Sequence, residues 1–209
     1  MKVIAHRGYW IDPLEKNTRI AFSRALEYGF GIETDFRDLN GQLVISHDLP
    51  LDGAMKLDEF IDLYKASKAS TPLAFNVKAD NLSTLIKHVI LRSDISNYFM
   101  FDMAVPDMRK YLSEGMRVFT RMSDYELYPV FLNESHGVWL DAFASEWYDM
   151  IVIEKLLSCN KQLAIVSPEL HQRPYIELWR FLKANNLHHN DHIAICTDFP
   201  LKAEKYFND

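Results

Sequence analysis

Pro72-Leu73-Ala74-Phe75-Asn76-Val77-Lys78 is a short, almost wholly apolar run, and together with the segments on either side of it this run decides the fold. A run of this length bounded by turn residues reads as a strand buried on both faces. Leu82–Leu91 then repeats apolar residues at helical spacing, and Tyr98–Met103 is a second buried run. Strand, helix and strand within about 30 residues make a parallel crossover unit.

The same rhythm extends both ways. Upstream, Val3–Gly8 reads as a strand, and Asn17–Gly29 as a helix ending at Gly29. Gly31–Leu39 is a strand, Asn40-Gly41 a hairpin turn, and Gln42–His47 the returning strand. Lys56–Ala66 is a helix with Leu57, Phe60, Ile61 and Tyr64 on one face. Downstream, the pairs are a helix over Asp107–Glu114, a strand over Arg117–Arg121 and a helix near Asp124–Asn133. Gly137–Phe143 precedes a helix over Ser145–Ser158, and Gln162–Ser167 precedes one over Pro174–Asn185. His192–Thr197 and Leu201–Phe207 close the series. Eight strand–helix pairs in 209 residues predict a closed (β/α)8 TIM barrel as a single α/β domain, near the lower size limit of that fold. An open doubly wound sheet is the alternative, but neither a Gly-rich dinucleotide loop nor a P-loop supports it.

Composition narrows the function. With 23 basic and 29 acidic residues the formal charge is −6, a poor balance for general nucleic-acid binding. Two cysteines, Cys159 and Cys196, build neither a disulfide framework nor a Cys-rich zinc site. The N-terminus lacks the apolar stretch of a signal peptide, and no run reaches the ~18 apolar residues of a membrane span. A cytoplasmic protein with a small-molecule substrate is the expectation. No feature of the sequence speaks to an oligomeric state.

In such a barrel the site lies at the C-terminal strand ends. There the sequence places His6-Arg7, Glu33 and Asp35, Asn76 and Lys78, Asp102, Arg121, Asp141, Ser167 and Glu169, and Thr197-Asp198. Strands buried for packing alone have no reason to end in charge. Glu33 and Asp35 are two apart on a strand and share a face, so they repel unless a cation or proton intervenes. Oxygen ligands suit Mg²⁺ or Ca²⁺; the alternative is that they serve Arg7, Arg37 or Lys78. His6 and His47 are either structural hydrogen-bonders or a general acid and base. Asp48 either orients His47 or merely opens the turn at Leu49-Pro50. Arg7, Lys78 and Arg121 suit a phosphate or ordinary ion pairs. Trp10 and Trp139 are candidates for lining the pocket, against plain packing. His188, His189 and His192 fall in a polar stretch that reads as a solvated loop rather than a metal cluster.

The ordered series His6-Arg7-Gly8, Asn17-Thr18 with Ala21-Phe22 and Ala25, Gly31-Ile32-Glu33-Thr34-Asp35, and Gly41 and Val44 before His47-Asp48 resembles the glycerophosphodiester phosphodiesterase family. The likeness is close over about the first 80 residues and looser after, with Thr197-Asp198-Phe199-Pro200 similar to the closing strand. It implies a TIM barrel of the PLC-like phosphodiesterase type and a metal-dependent phosphoric diester hydrolase. It implies His6 and His47 as catalytic, Arg7 and Lys78 on the phosphate, and Glu33 and Asp35 as ligands of a divalent cation. Two departures stand out. The family's Glu-x-Lys is here Asn76-Val77-Lys78, so Asn76 offers the ion a neutral carbonyl oxygen in place of a carboxylate. The insertion that usually comes after His-Asp is absent, since Asp48 leads through Leu49–Met55 straight to Lys56. A phosphoester-binding barrel with reduced turnover is the alternative these departures raise.

Overall fold

The computed structural model describes residues 1–208, and strands and helices alternate along almost all of them. β1 (Lys2–His6) leads to α1 (Arg19–Glu27), β2 (Gly31–Leu39), β3 (Gln42–Ile45) and α2 (Leu57–Ser67). Next along the chain are β4 (Leu73–Val77), α3 (Ser83–Ser93), β5 (Tyr98–Phe101) and α4 (Val105–Ser113). Then come β6 (Phe119–Met122), β7 (Gly137–Leu140), α5 (Met150–Ser158), β8 (Gln162–Val166), α6 (Ile176–Ala184), β9 (Ile193–Thr197) and α7 (Pro200–Asn208). Eight of the strands are parallel with helices between them, the (β/α)8 barrel class; β3 is the antiparallel ninth.

Two compact units divide the chain, one of residues Ala5–Val118 and one of Met1–Ile4 with Phe119 onward. In the first, the strands run in the order β5-β4-β2-β1, with β3 paired to β2. The β2–β3 hairpin turns at Asn40 and Gly41, whose φ angles of 51° and 76° suit the tight turn Asn-Gly favours. Alternation along β2 then sorts the side chains. Phe36 packs on Phe75 of β4 with ring centroids 4.6 Å apart, and Phe75 meets Phe60 of α2, which meets Phe22 of α1. Burying these rings drives the helices onto that face, each contributing about 2–3 kcal/mol. Glu33 and Asp35 are thereby turned to the opposite face.

In the second unit β6, β7, β8 and β9 are parallel neighbours in that order. Val138, Leu163, Ile165, Trp179, Leu182 and Ile195 anchor its core. The Trp179 indole N–H donates to Ser167 Oγ at 2.9 Å, which satisfies the one polar atom of a buried ring.

The main departure from the sequence reading lies between β6 and β7. Residues 124–133 form turns, not a helix, so the described chain holds seven α-helices in place of eight. Asp124 is engaged elsewhere, accepting from the N–H groups of Phe143 at 2.9 Å and Ala144 at 2.7 Å. Pro129 further disfavours helix there. The helix after β7 also starts late, at Met150, because the Asp149 carboxylate caps Val152 N–H at 3.1 Å.

Candidate active site

The site is built within residues 5–118, from the ends of β1, β2, β4 and β5. The chain leaves β1 through a sharp turn in which Arg7 (φ 57°) and Gly8 (φ 83°) are left-handed. Gly8 cannot be replaced without movement, since a Cβ would lie 2.9 Å from the backbone carbon of Ala21. Tyr9 N–H donates to Ala21 O and Asn17 N–H to Arg7 O, both at 2.9 Å, so α1 pins the turn.

That turn aims Arg7 at β2. Its backbone N–H donates to Glu33 Oε2 at 3.1 Å, and its Nε lies 3.2 Å from Asp35 Oδ2 as an ion pair without hydrogen-bond alignment. His6 Nε2 faces Glu33 Oε2 at 3.9 Å. Asn17 locks the opposite edge: its Nδ2 donates to Asp35 Oδ2 at 2.8 Å while its Oδ1 accepts from Thr34 Oγ1 at 2.9 Å.

Asn76 of β4 stands directly opposite Asp35 in the parallel register. Lys78, two residues on, places Nζ 3.8 Å from Asp35 Oδ1 and 3.1 Å from Asp102 Oδ2, just past β5. Beyond the β2–β3 ladder Ser46 N–H still donates to Asp35 O at 3.1 Å, which delivers His47 beside the same strand. Arg37 Nε holds the His47 carbonyl at 3.0 Å, and Asp48 Oδ1 lies 2.9 Å from His47 Nδ1. The structure therefore brings His6, Arg7, Glu33, Asp35, Asn76 and Lys78 together and sets His47 on an adjoining loop.

Glu33 and Asp35 are buried, and two cations do not fully offset them. Burial first, and the Asp35 charge second, push the Glu33 carboxyl up to about 8, although Arg7 and Lys78 pull the other way. Asp35 Oδ1 and Asn76 Oδ1 are buried oxygens without a hydrogen-bond partner. Burial of unpartnered acceptors is costly. Oxygens of this kind, beside a carboxyl that burial and a like charge hold protonated, fit a hard divalent cation. Among the described residues no group of three or more His, Cys, Asp or Glu side chains has metal-ligand spacing. The third oxygen here comes from an amide, Asn76.

Arg121 and Trp139 belong to the other unit. Arg121 is ion-paired with Glu126, and Trp139 is buried in β7. In that unit Glu169 accepts from Ser167, Thr197 and Asp198 N–H, and burial pushes its carboxyl up. Buried Asp141 accepts from His171 Nε2 at 2.7 Å. Sequence reasoning missed two roles: Asn17 as the clamp on Asp35, and His171 as the partner of Asp141. Asn17-Thr18 at a helix start was a usable signal for the first; the second depends on two chain segments meeting.

No family model matches the chain, and no curated protein does. Solved structures do. One from Galdieria sulphuraria, assigned as a glycerophosphodiester phosphodiesterase, has a TM-score of 0.78 at 15% identity, covering 100% of this chain and 98% of its own. The glycerophosphodiester phosphodiesterase of Agrobacterium tumefaciens has a TM-score of 0.75 at 16% identity, covering 100% of both chains. An Oleispira antarctica phosphodiesterase, in complex with the product sn-glycerol-3-phosphate, has a TM-score of 0.69 at 14% identity, covering 100% of this chain and 97% of its own. Over its whole length, this chain shares the fold of the glycerophosphodiester phosphodiesterases.

Proposed function

We propose that the chain is a metal-assisted phosphodiesterase acting on a glycerophosphodiester or a similar small phosphodiester. The observation that carries this is the unpartnered pair of buried oxygens, Asp35 Oδ1 and Asn76 Oδ1, set beside Glu33 and between two cations, Arg7 and Lys78. Glu33, Asp35 and Asn76 would hold Mg²⁺ or Ca²⁺, which when bound supplies Lewis-acid polarisation of a phosphoryl oxygen. A phosphate ester is also what the Oleispira antarctica neighbour holds.

Arg7 and Lys78 bind the phosphate and oppose the charge that grows on it. A carboxylate beside His47 Nδ1 makes that nitrogen the donor, leaving a lone pair on Nε2. His47 therefore takes the proton from the attacking hydroxyl, either water or a neighbouring hydroxyl of the substrate. His6 gives a proton to the departing alkoxide. Its Nε2 lies 3.9 Å from the Glu33 carboxyl, at the same strand ends. Attack by a neighbouring hydroxyl makes a cyclic phosphate, and attack by water makes a phosphomonoester.

Alcohol release from glycerophosphocholine in Mg²⁺ or Ca²⁺ tests the proposal. His6→Ala and His47→Ala should each lower kcat by ~10²–10⁴. Full activity in both variants would reject the assignment.

A further inference from the structure

Outside the candidate active site, a second group of buried oxygens lies between α3 and α4. Asp107, Tyr111 and Glu114, the residue that closes α4, stand at i, i+4 and i+7, so they share one face of the helix. Helix side chains lean toward the N-terminus, which brings the longer Tyr111 and Glu114 back toward Asp107. Two bonds to the start of α3 fix where the carboxyls arrive. Asp107 Oδ1 accepts from Asn81 N–H at 3.3 Å, and Glu114 Oε1 accepts from Ser83 Oγ, two residues on, at 3.5 Å.

Each carboxyl thus commits one oxygen and keeps one. Asp107 Oδ2, Glu114 Oε2 and Tyr111 Oη are all buried, and none has a hydrogen-bond partner. Tyr111 is 0% exposed and Asp107 8%. A buried phenol ordinarily bonds something. This one stands among carboxyls and bonds none of them, although burial first, then the charges of Asp107, Glu114 and Asp80, push it up. Oxygens close enough to feel one another, without a bond between them, are spaced for a bridging atom.

Charge selects the bridge. Burial pushes the Asp107 carboxyl up, and the charges of Asp80 and Glu114 add to that push, against the Asn81 N–H and Lys110. Lys110 is exposed, and the N-terminal end of α3 offsets only about half a charge. Arg117, three residues past Glu114, leaves Glu114 Oε2 unbonded, and its own Nε has no partner either. The balance around the three oxygens stays negative. Water would bridge them without supplying charge, whereas a hard divalent cation does both. Oxygens hung at unequal reach from one helix suit Ca²⁺, which accepts irregular geometry, better than Mg²⁺, which demands an octahedron. As at Asp35 and Asn76, a neutral oxygen completes the donors in place of a third carboxylate.

We propose that Asp107, Tyr111 and Glu114 form a second site, for Ca²⁺, that ties α4 to the start of α3. It is independent of the phosphodiesterase reading, since it uses none of the residues placed on the phosphate or on the active-site cation.

Calorimetric titration with Ca²⁺ tests it, with unfolding midpoints measured in Ca²⁺ and in chelator. Wild type should show a binding component that Glu114→Gln weakens about tenfold or more and that Glu33→Gln leaves in place. Ca²⁺ should raise the midpoint of Glu33→Gln, and raise it less once Glu114→Gln is added. Asp107→Asn repeats the test should Glu114→Gln fail to fold. Tb³⁺ in place of Ca²⁺ reports contact with the phenol. In Glu33→Gln, Tb³⁺ emission excited through tyrosine should appear, and adding Tyr111→Phe should remove most of it. A wild-type titration with no component beyond the one lost in Glu33→Gln would overturn the proposal. So would unchanged affinity in Glu114→Gln and Asp107→Asn, or emission that Tyr111→Phe leaves intact. A single component that survives Glu33→Gln and falls in Glu114→Gln would support this site and leave the active-site cation without support.

Discussion

Asn76 lies directly across from Asp35 in the β2–β4 register, and each residue carries a buried side-chain oxygen with no hydrogen-bond partner. One of the two oxygens is neutral. Asn76→Asp should therefore raise the affinity for a divalent cation by about tenfold or more, because affinity at oxygen sites rises with the number of charged ligands. It should also lower the unfolding midpoint in chelator, where a third carboxyl has no counter-ion. Calorimetric titration with Ca²⁺ and Mg²⁺ measures the first effect. An unchanged affinity would mean that position 76 does not face the ion.

Glu33 makes the cation-free protein sensitive to pH. Its carboxyl is pushed up to about 8 in the fold, against 4.5 for the unperturbed group. Between those values the folded chain keeps a proton that the unfolded chain has released. Stability then falls as pH rises through the window, because the unfolded state binds fewer protons. Below about 4.5 the effect vanishes, and above about 8 the full penalty applies. In chelator, Glu33→Gln should unfold at a higher temperature than wild type at pH 8 but not at pH 4. Melting curves that shift in parallel at both pH values would contradict the assigned burial.

The turn after β1 tolerates only glycine at its second position. Gly8→Ala combines a positive φ with a backbone contact at 2.9 Å, so it should cost about 2 kcal/mol or more. Gly29 provides the control, since its φ is 74° yet a Cβ there would meet nothing within 4 Å. Gly29→Ala should cost only about 1 kcal/mol. Urea unfolding of the two variants measures the gap, and equal losses would show that the Ala21 contact is not felt.

Asp48 touches His47 from solvent, being 93% exposed itself. Exposed pairs of this kind are weak and screened by salt. Asp48→Asn should thus lower kcat by less than about tenfold, with the difference shrinking at high ionic strength. A loss approaching that of His47→Ala would show instead that the carboxylate is needed to set the imidazole.

Local chemistry made much of the first unit legible. Gly31–Leu39 and the Asn40-Gly41 turn came straight from patterning, and period-2 spacing put Glu33 and Asp35 on one face. His47 lies on the loop beside β2 because Ser46 N–H bonds Asp35 O just past the hairpin ladder. The β6–β7 connection was only partly legible: Pro129 speaks against a helix in the sequence, but Asp124 reaching residues 143 and 144 shows only in the fold. The same holds for His171, whose meaning depends on Asp141, 30 residues earlier. Asp149, followed by the apolar Met150-Ile151-Val152-Ile153, was readable as a cap in the sequence.

Arg7 occupies a left-handed backbone angle that costs an L-residue about 1–2 kcal/mol. Glycine would adopt that angle without penalty and would leave the amide pointing at Glu33. A chain so altered would shed the backbone strain but also lose the guanidinium that pairs with buried Asp35, and an uncompensated buried carboxylate costs more than the strain. The strain at this one dihedral thus sets a cation beside two carboxyl groups that burial would otherwise leave without one on that side.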